Sequence, residues 1–215
     1  MKRGKRYNGA REGIDRDQAY GLDEAITLLK KAATAKFDEG VDIAIRLGVD
    51  PRQPDQMVRG TVDLPHGTGK TARVIAFADG EQAREALEAG AVAAGDDELI
   101  ERVAGGWLEF DAAVATPQMM PRISRPLGRV LGPRGLMPNP RAGTIGTELG
   151  SLVRAIQGGR IDFRVDRTSI VHAPVGRASF EDAQINDNVR ALLDTLVRAR
   201  PASARGQYLR SIALS

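Results

Sequence analysis

The periodicity of this sequence changes twice along the chain, and that double change restricts the fold more than any single motif does. Leu22, Ala25, Ile26, Leu28, Leu29, Ala32 and Ala33 make an apolar stripe that predicts a helix over 22–36, with Asp23 and Glu24 in its first turn. Val41, Ile43, Ile45 and Leu47 then alternate with Asp42, Ala44 and Arg46, the period of a half-buried strand, and a Pro-punctuated loop over 50–55 leads to a second strand over 57–64. From Pro65 onward the pattern becomes strand (73–78), helix (80–89), short strand, helix (96–103), strand (112–116) and helix (147–157), which predicts a small parallel α/β unit. After Gly158 and Gly159 the first style returns. Strands over 160–165 and 169–173 flank a turn at Asp166, Arg167 and Thr168, a long amphipathic helix over 180–200 is halted by Pro201, and a strand over 207–214 closes the chain. The expected fold is therefore α/β by insertion: a discontinuous α+β domain from 1–67 plus 160–215, interrupted by a second domain over 68–159. Gly67, Gly69, Gly158 and Gly159 stand at the two crossings and are expected to act as a hinge.

A chain of 215 residues with 42% hydrophobic and 27% charged residues can build two packed cores. The longest apolar runs fall far short of a membrane span, and the basic start has no apolar stretch behind it, so neither secretion nor a membrane is expected. The absence of cysteine excludes a disulfide framework and a thiolate metal site and suits a reducing cytoplasm. The net charge is only +3, but it is unevenly spread. Residues 1–36 hold nine Lys or Arg against five acids, residues 112–159 hold six against one, and 198–215 hold four Arg with no acid, whereas 68–111 hold ten acids against four bases. Basic segments of this kind point to a polyanionic partner. Arg outnumbers Lys 25 to 6, which favours planar bidentate contacts with phosphates, although a GC-rich genome produces the same ratio.

Two motifs tempt without holding. Gly69-Lys70-Thr71 ends like a phosphate loop, but position 64 is Leu where that pattern needs Gly, and a strand rather than a helix is expected to follow. The two histidines, His66 and His172, have no metal-binding spacing, and no serine has a visible base partner, so no catalytic residue, metal or cofactor is expected. A nucleotide-binding protein or enzyme using 67–71 stands as the alternative function.

The stretch 121–141 holds five Arg and no acid, and its prolines and glycines after Leu131 are expected to set Arg134 and Arg141 on a rigid exposed loop suited to phosphate contact. Within it, Leu131-Gly132-Pro133-Arg134-Gly135-Leu136-Met137-Pro138-Asn139-Pro140 closely resembles the signature of the ribosomal protein L-one family. So do Thr34-Ala35-Lys36-Phe37, Gly48-Val49-Asp50-Pro51-Arg52, Asp55-Gln56, Val58-Arg59-Gly60, Leu64-Pro65-His66-Gly67 and His172-Ala173-Pro174-Val175-Gly176. The resemblance spans almost the whole chain in order. It implies a split RNA-binding domain with an inserted Rossmann-like domain, placed on the mobile stalk of the large ribosomal subunit beside the tRNA exit site. The implied partners are the ribosome, large-subunit rRNA, exit-site tRNA and the messenger of the chain's own operon.

Carried over position by position, the resemblance makes Lys36 and Phe37, at the end of the first helix, and Arg164, Asp166, Arg167, Thr168 and His172, around the strand pair, the rRNA contacts. Arg52, Arg59, Arg122, Arg134 and Arg141 would meet RNA or tRNA more peripherally. Folded RNA is read by its shape, 2′-hydroxyls, phosphates and unstacked bases, which suits this mixed set. Phe37 has a second reading, as a cap of its helix against the sheet. Asp166, which phosphate would repel, is expected to accept from a 2′-hydroxyl or base amine, or to orient Arg164 or Arg167. Two departures from the family pattern stand out. The chain stops at Ser215, where the family continues into a Thr-Met-Gly-Pro segment, and Val165 replaces the usual Asn in the turn.

Overall fold

The computed structural model describes residues 4, 7–9, 13–15 and 18–215, except the side chain of Arg141. In chain order the first elements are α1 (Leu22–Ala32), β1 (Gly40–Leu47), β2 (Arg59–Asp63), β3 (Val74–Phe77), α2 (Gly80–Glu88), β4 (Ala93–Gly95) and α3 (Asp97–Ala104). They are followed by β5 (Ala112–Ala115), α4 (Met120–Leu131), α5 (Leu149–Gln157), β6 (Arg160–Arg164), β7 (Ile170–Arg177), α6 (Asp182–Arg198) and β8 (Leu209–Leu214). The chain divides into two compact units, Met1–Gly69 with Phe163–Ser215, and Lys70–Asp162.

In the split unit, β1 is the central strand of an antiparallel sheet ordered β7-β1-β8. Ile43 stands between Ala173 and Leu214, and Ile45 between Val171 and Ile212. Strand alternation puts Val41, Ile43, Ile45 and Leu47 on the inner face with Val171, Ala173 and Val175, all buried. Against that face lie Ile185, Val189, Leu192 and Leu196 of α6 and Ile26 of α1, also buried. A capping box between Glu181 and Gln184 starts α6. The opposite face presents Asp42, Ala44 and Arg46 of β1, His172 and Pro174 of β7, and Ser211 and Ala213 of β8, all exposed except the half-buried Ala44. One sheet face thus makes the core and the other is left for contact.

In the other unit, β3 runs parallel to β4 on one side and β5 on the other. Ile75, Phe77, Ala113 and Ala115 pack against Leu99, Ile100 and Val103 of α3 and Ile123, Leu127 and Leu131 of α4. Val74, Ala76 and Val114 pack on the other face against Ala86 of α2 and Leu149 and Val153 of α5. A sheet covered on both faces explains why the β3 and β5 sequences read as unbroken apolar runs.

Two expected elements are corrected. The first helix ends at Ala32, not Lys36, and residues 33–39 form a connection braced from elsewhere in the unit: the Ala178 N–H donates to the Glu39 carbonyl (2.9 Å), and the Ser179 N–H and hydroxyl donate to the Asp38 carboxylate (3.1 and 2.9 Å). The central loop expected over 122–141 is helix α4 as far as Leu131, with Pro126 inside it. Proline removes one N–H, but Pro126 and Arg122 lie on the exposed side, where water can satisfy the released carbonyl. The buried stripe Ile123, Leu127 and Leu131 holds the helix together.

Candidate nucleic-acid interface

The turn joining β6 to β7 is organised by one carboxylate. Asp166 accepts from the Thr168 N–H (2.8 Å), the Ile170 N–H (2.8 Å) and the Thr168 hydroxyl, which reaches both carboxylate oxygens at 2.7 Å. Its Oδ2 also lies 3.8 Å from Nε2 of His172. These bonds, the Ile170 N–H foremost, hold the Asp166 carboxyl below the usual carboxylate range. Ser169 takes a left-handed conformation (φ 67°) and is locked there, its hydroxyl donating to the Val49 carbonyl (2.9 Å) and its carbonyl accepting from the Leu47 N–H (2.8 Å). Asp166 commits its hydrogen bonds to Thr168 and Ile170 and not to Arg164 or Arg167, so it shapes the turn that carries Arg167 and follows Arg164. An antiparallel bridge between Val165 and Val171 brings Arg164 and His172 to the same part of the hairpin, beside Asp166 and Thr168.

Lys36 and Phe37 are elsewhere. Their connection is tied through Asp38 to Arg177 and Ser179, at the far end of β7. The expected contacts therefore bracket one strand, with about 24 Å of β7 between the two groups at roughly 3.4 Å per residue. Phe37 is 75% exposed, so its ring does not cap the helix. From the turn end, where Arg46 pairs with Ile170, the outward residues His172 and Pro174 of β7 are exposed, with the half-buried Ala44 and the exposed Asp42 of β1 opposite them. Arg46 was not among the expected contacts, although its place among the outward residues of β1 was readable from the alternation.

Arg52, in the β1–β2 connection, and Arg59, on β2, are exposed in the same unit. Among the described residues, the side chains of Lys36, Arg46, Arg52, Arg59, Arg164 and Arg167 have no ion-pair or hydrogen-bond partner, so their donors are available to a ligand. Arg122 differs. It sits on α4 in the other unit, with its guanidinium 2.5 Å from Asp97 and 3.5 Å from Asp79, so its charge is answered within the protein. Arg134 is exposed in the turn after α4, and the side chain of Arg141 lies outside the described residues, as do Lys2, Arg3, Lys5, Arg6, Arg11 and Arg16 of the basic start.

Of the expected hinge glycines, Gly67 and Gly69 stand at the end of the first segment with positive φ (65° and 72°), whereas Gly158 (φ −72°, capping α5) and Gly159 (φ 109°) lie inside the unit 70–162, ahead of the second division within β6. The first crossing is anchored on both sides. Asn188, fully buried, accepts from the His66 N–H (3.0 Å) and donates to the Gly67 carbonyl (2.8 Å) and the Val175 carbonyl (2.9 Å). Beyond it, Asp111 holds Arg73 through two side-chain bonds (3.1 and 3.3 Å) and Lys70 at 3.3 Å, and these, Arg73 first, keep its carboxyl far below the usual range. Lys70 is thereby committed within the protein, and Thr71 leads toward a strand, so 67–71 lacks the helix N-terminus that a phosphate loop requires. Among the described residues, no group of three or more His, Asp or Glu could hold a metal ion, and no helix is long and apolar enough to cross a membrane.

The sequence model of the "Ribosomal protein L1p/L10e family" matches residues 29–215. The chain is 54% identical to the large ribosomal subunit protein uL1 of a Nocardioides species, over 100% of this chain and 89% of that protein. It is 52% identical to the protein of the same name from Deinococcus radiodurans, over 100% of this chain and 92% of that one. With the Thermus thermophilus protein of that name it shares 52% identity over 98% of this chain and 92% of the other.

Proposed function

Because the chain belongs to the ribosomal protein L1p/L10e family, we propose that it is a structural constituent of the large ribosomal subunit that binds large-subunit rRNA through the split unit and works in the cytoplasm. The observation that carries this reading is the strip along β7: unpartnered cations at both ends, an exposed aromatic at one, and a rigid hydroxyl-bearing turn at the other. Guanidinium and ammonium groups meet phosphates, Thr168 and His172 can bond to 2′-hydroxyls or base edges, and Phe37 offers a face to an unstacked base. The rest of the proposed function extends this reading to two further RNA partners. The split unit stays on the rRNA while the other unit, with Arg134 exposed, meets the exit-site tRNA and assists its release. The messenger of the chain's own operon binds the split unit where its fold repeats the rRNA site, and so represses translation. The action is binding without catalysis.

Titration of the full chain against the stalk fragment of large-subunit rRNA tests this directly. Specific binding that survives competition by unrelated RNA supports it. Failure to bind, combined with thermal stabilisation by a nucleotide, would favour the loop at 67–71 instead. Competition between the rRNA fragment and the operon messenger tests the repressor role.

A further inference from the structure

The end of the sheet that carries the Asp166 turn holds a second feature. A pocket of about 500 Å³ opens between the β1–β2 connection and the α6–β8 connection. Arg205 and Arg210 line it from one side and Asp50, Gln53 and Gln56 from the other, with Ser203 at the rim. Arg205 and Arg210 have no side-chain partner among the described residues, so two unanswered guanidinium groups border one polar pocket.

Its walls are fixed before any ligand arrives. The Asp50 N–H donates to the Gln56 side chain (2.8 Å), and the Asp50 carboxylate accepts from the Arg52 N–H (3.1 Å), which folds the β1–β2 connection back on itself. Gln56 in turn donates to Gln53 (2.8 Å). Opposite, Arg200 donates to the carbonyls of Ala204 (2.9 Å) and Gly206 (3.1 Å), which stiffens the α6–β8 connection. The floor is Gly48. A Cβ there would lie 2.1 Å from the Gln207 carbonyl oxygen and 3.4 Å from Nε of Arg210, so only glycine lets the two connections close together. Ser169 of the neighbouring turn bonds to Val49 of the pocket wall, which ties the pocket to the Asp166 turn.

We propose that this pocket is a further RNA contact, taking one nucleotide of the rRNA held by the strip. The proposal rests on the rRNA reading above. The guanidiniums of Arg205 and Arg210 receive the phosphate, and the carboxamides and the Asp50 carboxylate receive the ribose 2′-hydroxyl or base edge. A bare-anion site would exclude Asp50, whereas folded RNA, which presents donors as well as phosphates, accommodates it.

The test compares full-chain variants by titration against the stalk fragment of large-subunit rRNA at several salt concentrations, with thermal melts confirming folding. The double variant Arg205→Ala/Arg210→Ala should bind about tenfold or more weakly, and the slope of log affinity against log salt should fall by about one phosphate contact. Gln56→Leu should weaken binding without changing that slope. The control is Arg125→Ala/Arg129→Ala, which removes two exposed charges from α4. An equal loss in that control means diffuse attraction and overturns the pocket. Unchanged affinity in the Arg205/Arg210 variant, while Arg164→Ala still weakens binding, also overturns the pocket but leaves the rRNA reading standing. If the unaltered chain fails to bind the fragment, both fall together.

Discussion

Asp166 places a negative charge on a surface assigned to RNA, and its carboxylate is committed to its own turn. On charge alone, Asp166→Ala should tighten RNA binding. Because the turn depends on the carboxylate, the variant is instead expected to weaken binding by roughly 1.5–3 kcal/mol, comparable to the loss of one hydrogen bond to a charged group. Titration against the rRNA fragment, with amide exchange at Thr168 and Ile170, separates the two outcomes. The lowered acidity also has a sign. The folded-state value lies below the ordinary one, so the turn's stabilisation is present above about pH 3.9 and is lost only as pH falls through the lower folded value. Protection of the two amides should therefore persist below pH 3.9, and loss between pH 5 and 4 would contradict it. Phe37, 75% exposed, makes the complementary case. Phe37→Ala should leave stability within about 0.5 kcal/mol, yet cost about 1–3 kcal/mol of RNA affinity if a base stacks on the ring.

Helix α4 shows how an element can be hidden by its own residues. The prolines and glycines after Leu131 weigh toward a loop for the whole basic stretch, although Ile123, Leu127 and Leu131 mark one helical face that persists through Pro126. The core of the second unit recovers more from burying that stripe than it loses at one proline, a balance set by partners far away in sequence. The early end of α1 has the same origin, since Asp38 and Glu39 are held by residues 178 and 179. Strand positions, by contrast, were legible because alternation is local. The contact residues were nameable only through family resemblance, and their separation along β7 was invisible without the β1–β7 pairing. The helix also redirects an expectation about charge. Arg122→Ala should barely alter RNA affinity and should cost about 0–1 kcal/mol of stability through its ion pairs. Arg134→Ala, with no such pairs, should reduce tRNA binding in a salt-dependent way, and parallel melts and titrations of the two variants distinguish them.

At the scale of the whole molecule, the proposed motion concentrates at short stretches of backbone. Asn188 anchors the first crossing as far as Gly67 and Asp111 takes hold from Lys70, so the division after Gly69 falls between two anchors. Labels at Ser179 and Thr147 are expected to report a broad distance distribution in the free chain that narrows on RNA binding, and one sharp distance unchanged by RNA would refute a pivot there. A protein of 1–69 joined by a short linker to 163–215 should fold and keep most rRNA affinity, and a folded product that does not bind would move the interface to the other unit. The strand order carries one more consequence, for the order in which the molecule can be made. β1 is completed by residue 47, yet both strands that flank it, β7 and β8, come from residues 170–214. As the chain emerges during synthesis, the unit spanning 70–162 has all its strands first, and it can close while the earlier segment still waits. Until the last fifth of the sequence is made, β1 has neither neighbour, and its alternating Val, Ile and Leu residues stay open to chaperones or to the wrong strand.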